Sequence, residues 1–184
     1  MNQGIQLSVN RPPIDAPTSV FLAFRTQSTQ PHKYVLISNG NHSAFEVRYE
    51  DGELKIVING QIVLRAQNLA VADAEPHLLS VVFHRGGRMI LYLDGLRIAQ
   101  TICPFPTFTN TFTLGSKSTA QITSDLFLIL AEEVTAVKQA AFYNNGYLLE
   151  PNLVFHNITY SFDTRKRSSR ENLKVDKFKN TFVY

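Results

Sequence analysis

The sequence predicts an all-β protein, an antiparallel two-sheet β-sandwich of jelly-roll type with one short helix near 135–143. Three observations carry this. Apolar and polar residues alternate with period two along most of the chain, the spacing at which successive strand side chains face opposite ways. The pairs Asp51-Gly52, Asn59-Gly60 and Asp94-Gly95 separate alternating runs and supply the positive φ angles of type I′ hairpins. One segment alone, from Thr135 to Tyr143, changes to helical spacing.

Taken in order, Val20, Leu22 and Phe24 mark a strand with Phe21 and Ala23 between them. Tyr34 to Ile37 is a short apolar run closed by Ser38-Asn39-Gly40. Phe45, Val47 and Tyr49 alternate with Glu46, Arg48 and Glu50. Leu54, Ile56 and Ile58 follow the Asp51-Gly52 turn, and Ile62 and Leu64 follow Asn59-Gly60. Residues 43–65 therefore read as a three-strand meander. A second meander runs from Leu78 to His84, through a loop at Arg85-Gly86-Gly87-Arg88, along Met89 to Leu93, and back from Leu96 to Ile102. Pro104 and Pro106 end the pairing. Phe112 and Leu114 form a short strand before Gly115, and the apolar run Leu126 to Leu130 suits a strand buried on both faces. Thr135 caps a helix with Val137, Ala140 and Ala141 on one face, stopped at Asn144-Asn145-Gly146. Val154, Ile158, Tyr160 and Phe162 predict a late strand. The expected core is Phe45, Val47, Ile56, Ile58, Val81, Phe83, Ile90, Tyr92, Ile98 and Leu128.

The length, 184 residues, fits one domain with a tail, and such a chain buries roughly 70% of its unfolded surface without help from metals or disulfides. Its one cysteine, Cys103, excludes an internal disulfide. No apolar run is long enough for a membrane span, and Met1 to Arg11 lacks the apolar stretch of a secretory signal. The charge is uneven. Residues 163–184 hold seven basic groups (Arg165, Lys166, Arg167, Arg170, Lys174, Lys177, Lys179) against Asp163, Glu171 and Asp176, a net +4, while the whole chain carries only +3. The expected organisation is a sandwich at 1–162 and a basic C-terminal arm at 163–184. The near-neutral body argues against nucleic acid as its partner, whereas the basic arm leaves that partner open.

The run His77-Leu78-Leu79-Ser80-Val81-Val82-Phe83, followed by Met89-Ile90-Leu91-Tyr92-Leu93-Asp94-Gly95, resembles a laminin G-like domain. Concanavalin A-like lectin/glucanase sandwiches and pentraxins share the pattern. The short strand ending at Phe112-Thr113-Leu114-Gly115-Ser116, and the buried strand and helix from Leu126 to Gly146 with a Val134-Thr135 step, continue it over roughly residues 18–162. The chain departs from the family in having Lys138 where an acidic capping partner is common, and in having no Trp. The resemblance implies glycan recognition, with Tyr34, Tyr49, Tyr143 and Tyr147 as the available aromatic platforms. It also implies calcium in rim loops, for which Asn39, Asn41, Asp73, Glu75 and Asp125 are the candidate oxygens; residues of these types equally serve as turn formers, and the expectation is that no cofactor is needed.

Catalysis finds little support. Glu50-Asp51-Gly52-Glu53 is the nearest match to the paired carboxylates of a glycosidase, but its central Asp-Gly is a turn, which is expected to aim the acids apart. His32, His42, His77, His84 and His156 have no metal-motif spacing, and Cys103 has no neighbouring base. The Gly86-Gly87 loop is not followed by a helix, so it is a hairpin rather than a phosphate cradle. The sequence thus points to a non-enzymatic lectin-like sandwich in a larger assembly, best a virus or phage particle. Its partners would be other protein subunits and glycans. The arm would hold neighbours through Arg165, Lys166, Arg167 and Arg170, with Phe182 and Tyr184 as aromatic anchors. The alternative is a glycan-binding domain of a larger secreted or surface protein, in an extracellular setting. Asn41-His42-Ser43 and Asn157-Ile158-Thr159 are acceptor triplets that would suit it.

Overall fold

The computed structural model describes residues 5–9, 12–26, 33–40, 44–115 and 122–144. The late strand predicted at 154–162 and the arm at 163–184 lie outside them. The strands are β1 (Ile5–Ser8), β2 (Thr18–Thr26), β3 (Tyr34–Asn39), β4 (Phe45–Glu50), β5 (Glu53–Ile58), β6 (Gln61–Ala66), β7 (Pro76–Phe83), β8 (Arg88–Leu93), β9 (Leu96–Ile102), β10 (Thr111–Leu114) and β11 (Ile122–Leu130), followed by helix α1 (Ala136–Asn144). They form a six-stranded sheet, β1-β10-β3-β4-β5-β6, and a five-stranded sheet, β11-β2-β7-β8-β9. Every pairing is antiparallel. The all-β two-sheet sandwich is therefore the observed fold, with both meanders in place.

The three predicted turns have the required backbone. Asp51 and Gly52 have φ of 54° and 80°, Asn59 and Gly60 of 50° and 76°, and Asp94 and Gly95 of 53° and 79°. Two consecutive left-handed residues give a hairpin the twist of its strands. β1 was not predicted, because residues 5–8 are too few to show a period. It pairs with β10 and sets Leu7 in the core.

The main core lies between the sheets. A string of rings crosses it, Phe105 to Phe108 at 5.5 Å, Phe108 to Phe112 at 5.6 Å and Phe112 to Phe127 at 5.3 Å between centroids. Edge-on and tilted contacts of this kind suit the ring quadrupoles. Nine of the ten expected core residues are buried. Ile98 is only half-buried, since β9 is the edge strand of its sheet.

A second, smaller core lies on the outer face of the five-stranded sheet, where Phe21, Ala23, Leu78, Leu128 and Leu130 meet Val134 and Phe142. This explains why β2 and β11 read as continuous apolar runs rather than clean alternations. Helix α1 covers them, with Phe142 stacked on Phe21 at 5.1 Å. Thr135 is its cap, accepting from the Lys138 amide at 3.5 Å. The buried face of the helix is Gln139 and Phe142, and Val137, expected inward, is exposed. Gly95 is what lets the helix sit so close. A Cβ there would lie 3.0 Å from the Ala140 Cα and 3.3 Å from the Gln139 carbonyl oxygen.

Candidate functional site

Beside the helix, the same outer face carries a polar cluster. Pairing fixes its layout. Val82 lies opposite Ile90, and Ser80 opposite Tyr92. On the other side of β8, Arg88, Ile90 and Tyr92 face Ile102, Gln100 and Arg97 of β9. Directly paired residues share a sheet face, so these side chains stand together on the outside. Val82, Ile90 and Tyr92 form a small buried apolar floor. Arg88, Arg97, Gln100 and Ile102 surround it and are exposed, Ile102 by 83%. The segment before α1 adds Glu133, which reaches His84 just past β7.

Lys33 lies 3.6 Å from Glu50, Arg48 3.4 Å from Glu46, Arg65 3.1 Å from Glu53, and Lys138 3.9 Å from Glu132. Arg85, Arg88 and Arg97 have no carboxylate within ion-pair distance among the described residues. Glu133 is taken by His84, whose Nδ1 lies 2.6 Å from its Oε1. A carboxylate only accepts, so that ring nitrogen carries the hydrogen. Arg88, 3.4 Å from the same nitrogen, is also a donor only and gains no hydrogen bond there. The other nitrogen of His84, Nε2, is buried and without a hydrogen-bond partner among the described residues. Burial pushes the Tyr92 hydroxyl up, against the pull of Arg97 and Arg88 and with the push of Glu133. All three charged groups therefore act on that hydroxyl. The arrangement offers two uncompensated guanidinium forks, an amide and an aliphatic rim, which together can grip an oxyanion on a larger, partly apolar ligand.

The sequence-predicted candidates are placed as follows. Tyr34 and Tyr49 are not platforms. Both are buried in the core, with ring centroids 6.1 Å apart, and Tyr49 donates its hydroxyl to the Leu69 carbonyl at 3.1 Å. Tyr143 is exposed at the end of α1; Tyr147 lies outside the described residues. Asn39 is not a rim ligand, because its buried amide donates to the carbonyls of Thr109 and Thr111 at 3.0 and 2.8 Å and accepts from the Thr109 amide at 2.8 Å. It stitches β3 to the chain before β10. Asp73 accepts from the Glu75 amide at 2.9 Å and from His77 Nε2 at 3.0 Å. Asn41 and the side chain of Asp125 lie outside the described residues. Among the described residues no three His, Cys, Asp or Glu side chains are placed to hold a metal ion.

Glu50 and Glu53 correct the expectation that the turn aims them apart. They are direct cross-strand partners, and both carboxylates converge on Lys55 Nζ at 3.1 Å. The hydrogen bond to Lys55 holds each carboxyl below its ordinary value. A glycosidase acid needs the opposite shift. Cys103 is buried beside Met89, with its sulfur 3.9 Å from the thioether, and burial pushes its thiol up, away from a reactive thiolate. Arg165, Lys166, Arg167, Arg170, Phe182 and Tyr184 lie outside the described residues. Sequence reasoning did not single out Arg88, Tyr92, Arg97 and Glu133 as a group. The signal was available in β8, where Arg88, Ile90 and Tyr92 alternate with Met89, Leu91 and Leu93, which marks an arginine and a tyrosine on the face away from the core.

No known family matches the chain by its sequence, and no curated protein does. Solved structures are similar to it. The binding domain of botulinum neurotoxin serotype D superposes with a TM-score of 0.56 at 12% identity, over 70% of this chain and 36% of that one. The binding domain of botulinum neurotoxin DC, solved with rat synaptotagmin II, gives 0.57 at 15% identity, over 70% and 35%. A structure concerned with the entry of botulinum neurotoxin type C into cells, dependent on two ganglioside molecules, gives 0.57 at 16%, again over 70% and 35%. This chain thus spans little more than a third of those proteins. At such identities the likeness establishes the fold alone, a β-sandwich, without singling out laminin G-like domains or pentraxins.

Proposed function

We propose that this chain is a non-enzymatic recognition module that meets its partner, a glycan or a protein, through the outer face of β7, β8 and β9. The single observation that carries the reading is the set of unmatched arginines around an apolar floor, where Lys33, Arg48, Lys55, Arg65 and Lys138 elsewhere are each ion-paired. Charges left unpaired on an exposed face suit a partner that supplies the opposite sign. The similar structures support it by analogy, since they include binding domains, one of them in complex with synaptotagmin II and one whose cell entry involves gangliosides.

The finer reading is a structural or attachment component of a larger assembly, best a virus or phage particle. A chain with one cysteine folds without disulfides and suits assembly in a reducing compartment. In this reading residues 163–184 are the arm that reaches neighbouring subunits, through Arg165, Lys166, Arg167 and Arg170 and the terminal Phe182 and Tyr184. The alternative reading is a glycan-binding domain of a larger secreted or surface protein. No helix among the described residues is long and apolar enough to cross a membrane. A glycan array probed with the full chain, with and without calcium, together with the mass of the chain's native complex, tests the reading. Selective saccharide binding or a discrete multi-subunit mass supports it. A monomer that binds no saccharide overturns it.

A further inference from the structure

We propose that the outer-face site is built for an acidic saccharide, gripped by its carboxylate or sulfate oxygens. This rests on the recognition reading above and narrows its ligand. Arg88 and Arg97 each offer a fork to an oxyanion. Arg97 is paired directly with Tyr92, and Arg88 lies on the same face at the start of β8, with Ile90 between. Each guanidinium is exposed and without a carboxylate partner among the described residues, and the one nearby acid, Glu133, is held by His84 at 2.6 Å. A guanidinium presents two parallel donors to a carboxylate or a sulfate, which gives orientation as well as attraction.

The neighbours fit a sugar. Gln100 stands opposite Ile90 between the two arginines, and its planar amide both donates to and accepts from hydroxyls. Ile102, paired with Arg88, offers an exposed aliphatic surface at the rim for the apolar C–H face of a pyranose. Ligand sites combine apolar surface with a few placed polar groups that fix orientation. The site lies on paired strands and so is held rigidly, with its floor sealed beneath it.

The test is binding of the full chain to heparin (sulfated), hyaluronan (carboxylated) and dextran (neutral). The variants are Arg88→Gln with Arg97→Gln, the conservative Arg97→Lys, and an arm control with Arg165, Lys166, Arg167 and Arg170 all changed to Gln. Melting temperatures check that each variant folds. The expected result is that heparin or hyaluronan binds at least tenfold tighter than dextran. The double variant should lose at least tenfold, Arg97→Lys should lose less because charge remains without the fork, and the arm control should keep the preference for the acidic polymer over dextran. Binding to hyaluronan shows that a carboxylate suffices, whereas binding to heparin alone, which holds carboxylates too, shows that sulfate is required. An affinity unchanged in the double variant, or lost only in the arm control, overturns the site. Equal binding of dextran, untouched by the double variant, overturns the acidic ligand and leaves saccharide recognition standing. No binding to any of the three overturns the saccharide ligand and leaves the recognition reading to a protein partner alone.

Discussion

His77 Nδ1 lies 2.8 Å from Asp94 Oδ2, joining the start of β7 to the turn between β8 and β9. The same carboxylate accepts from the Leu78 amide at 2.8 Å, and the Asp94 amide donates to the Leu78 carbonyl at 2.8 Å. The other ring nitrogen donates to Asp73 at 3.0 Å. Both partners are carboxylates and can only accept, so both contacts are hydrogen bonds together only when the ring is an imidazolium. This clasp fixes the Asp94-Gly95 turn on which helix α1 rests, and so sets one border of the outer-face site.

The clasp makes stability depend on pH. Burial alone would lower the His77 value, but the hydrogen bonds and charges of Asp94 and Asp73 outweigh it and raise it above the ordinary 6.5. Its stabilisation is full below about 6.5, the unfolded value, and is lost as pH rises through the raised folded value. Burial likewise pushes the Asp73 carboxyl up, yet the Glu75 amide and His77 hold it below its ordinary 3.8. That contribution is present above 3.8 and is lost as pH falls through the lowered value. Urea unfolding should show the parent more stable at pH 5.5 than at pH 8.5. His77→Leu should be less stable at pH 5.5 by about 1.5–3 kcal/mol, as for hydrogen bonds to charged groups, and should lose this part of the pH slope. A slope unchanged by the substitution would remove the imidazolium from the account.

Gly95 and Gly60 make a controlled pair. Both hold positive φ, at 79° and 76°, so alanine is strained at each by roughly 1–2 kcal/mol. A Cβ at Gly60 meets nothing within 4 Å, whereas at Gly95 it meets helix backbone at 3.0 Å. Gly95→Ala should therefore lower the melting temperature more than Gly60→Ala and should expose Phe142 to quenching or exchange probes. Equal shifts would mean that the helix is not seated on the turn.

Phe83 tests the register of the inner face. Its ring packs edge-on against Phe45, Phe105 and Phe108, at 5.9, 5.2 and 6.0 Å. Phe83→Ala should cost about 3–5 kcal/mol in denaturant unfolding. A negligible change would place the ring outside the core.

Most of the sandwich was legible because its signals are local. Asp51-Gly52, Asn59-Gly60 and Asp94-Gly95 declare their turns through backbone sterics, and alternation around them sets which side chains face inward. The site was harder to see. Arg88 and Arg97 lie on different strands of a hairpin and share a sheet face only through pairing, and Glu133 comes from the segment before α1. Burial of Tyr34 and Tyr49 was also hidden, since a tyrosine's hydroxyl makes core and rim look alike until a partner such as the Leu69 carbonyl is found. Glu50 and Glu53 were misjudged because a two-residue turn brings its flanking residues face to face, a consequence of register rather than of spacing.

We propose that residues 163–184 hold this recognition sandwich in a larger assembly. The direct measurement is the mass of the assembly formed with the full chain and with a chain lacking residues 163–184. Exposed charges steer across roughly 8 Å at physiological ionic strength, while the aromatic end would bury area worth roughly 25 cal/mol per Å². Loss of both should abolish incorporation and leave the sandwich folded, with the melting temperature of its core retained. If the truncated chain is incorporated as well as the full one, the arm has no such role, and a free glycan-binding domain becomes the better description.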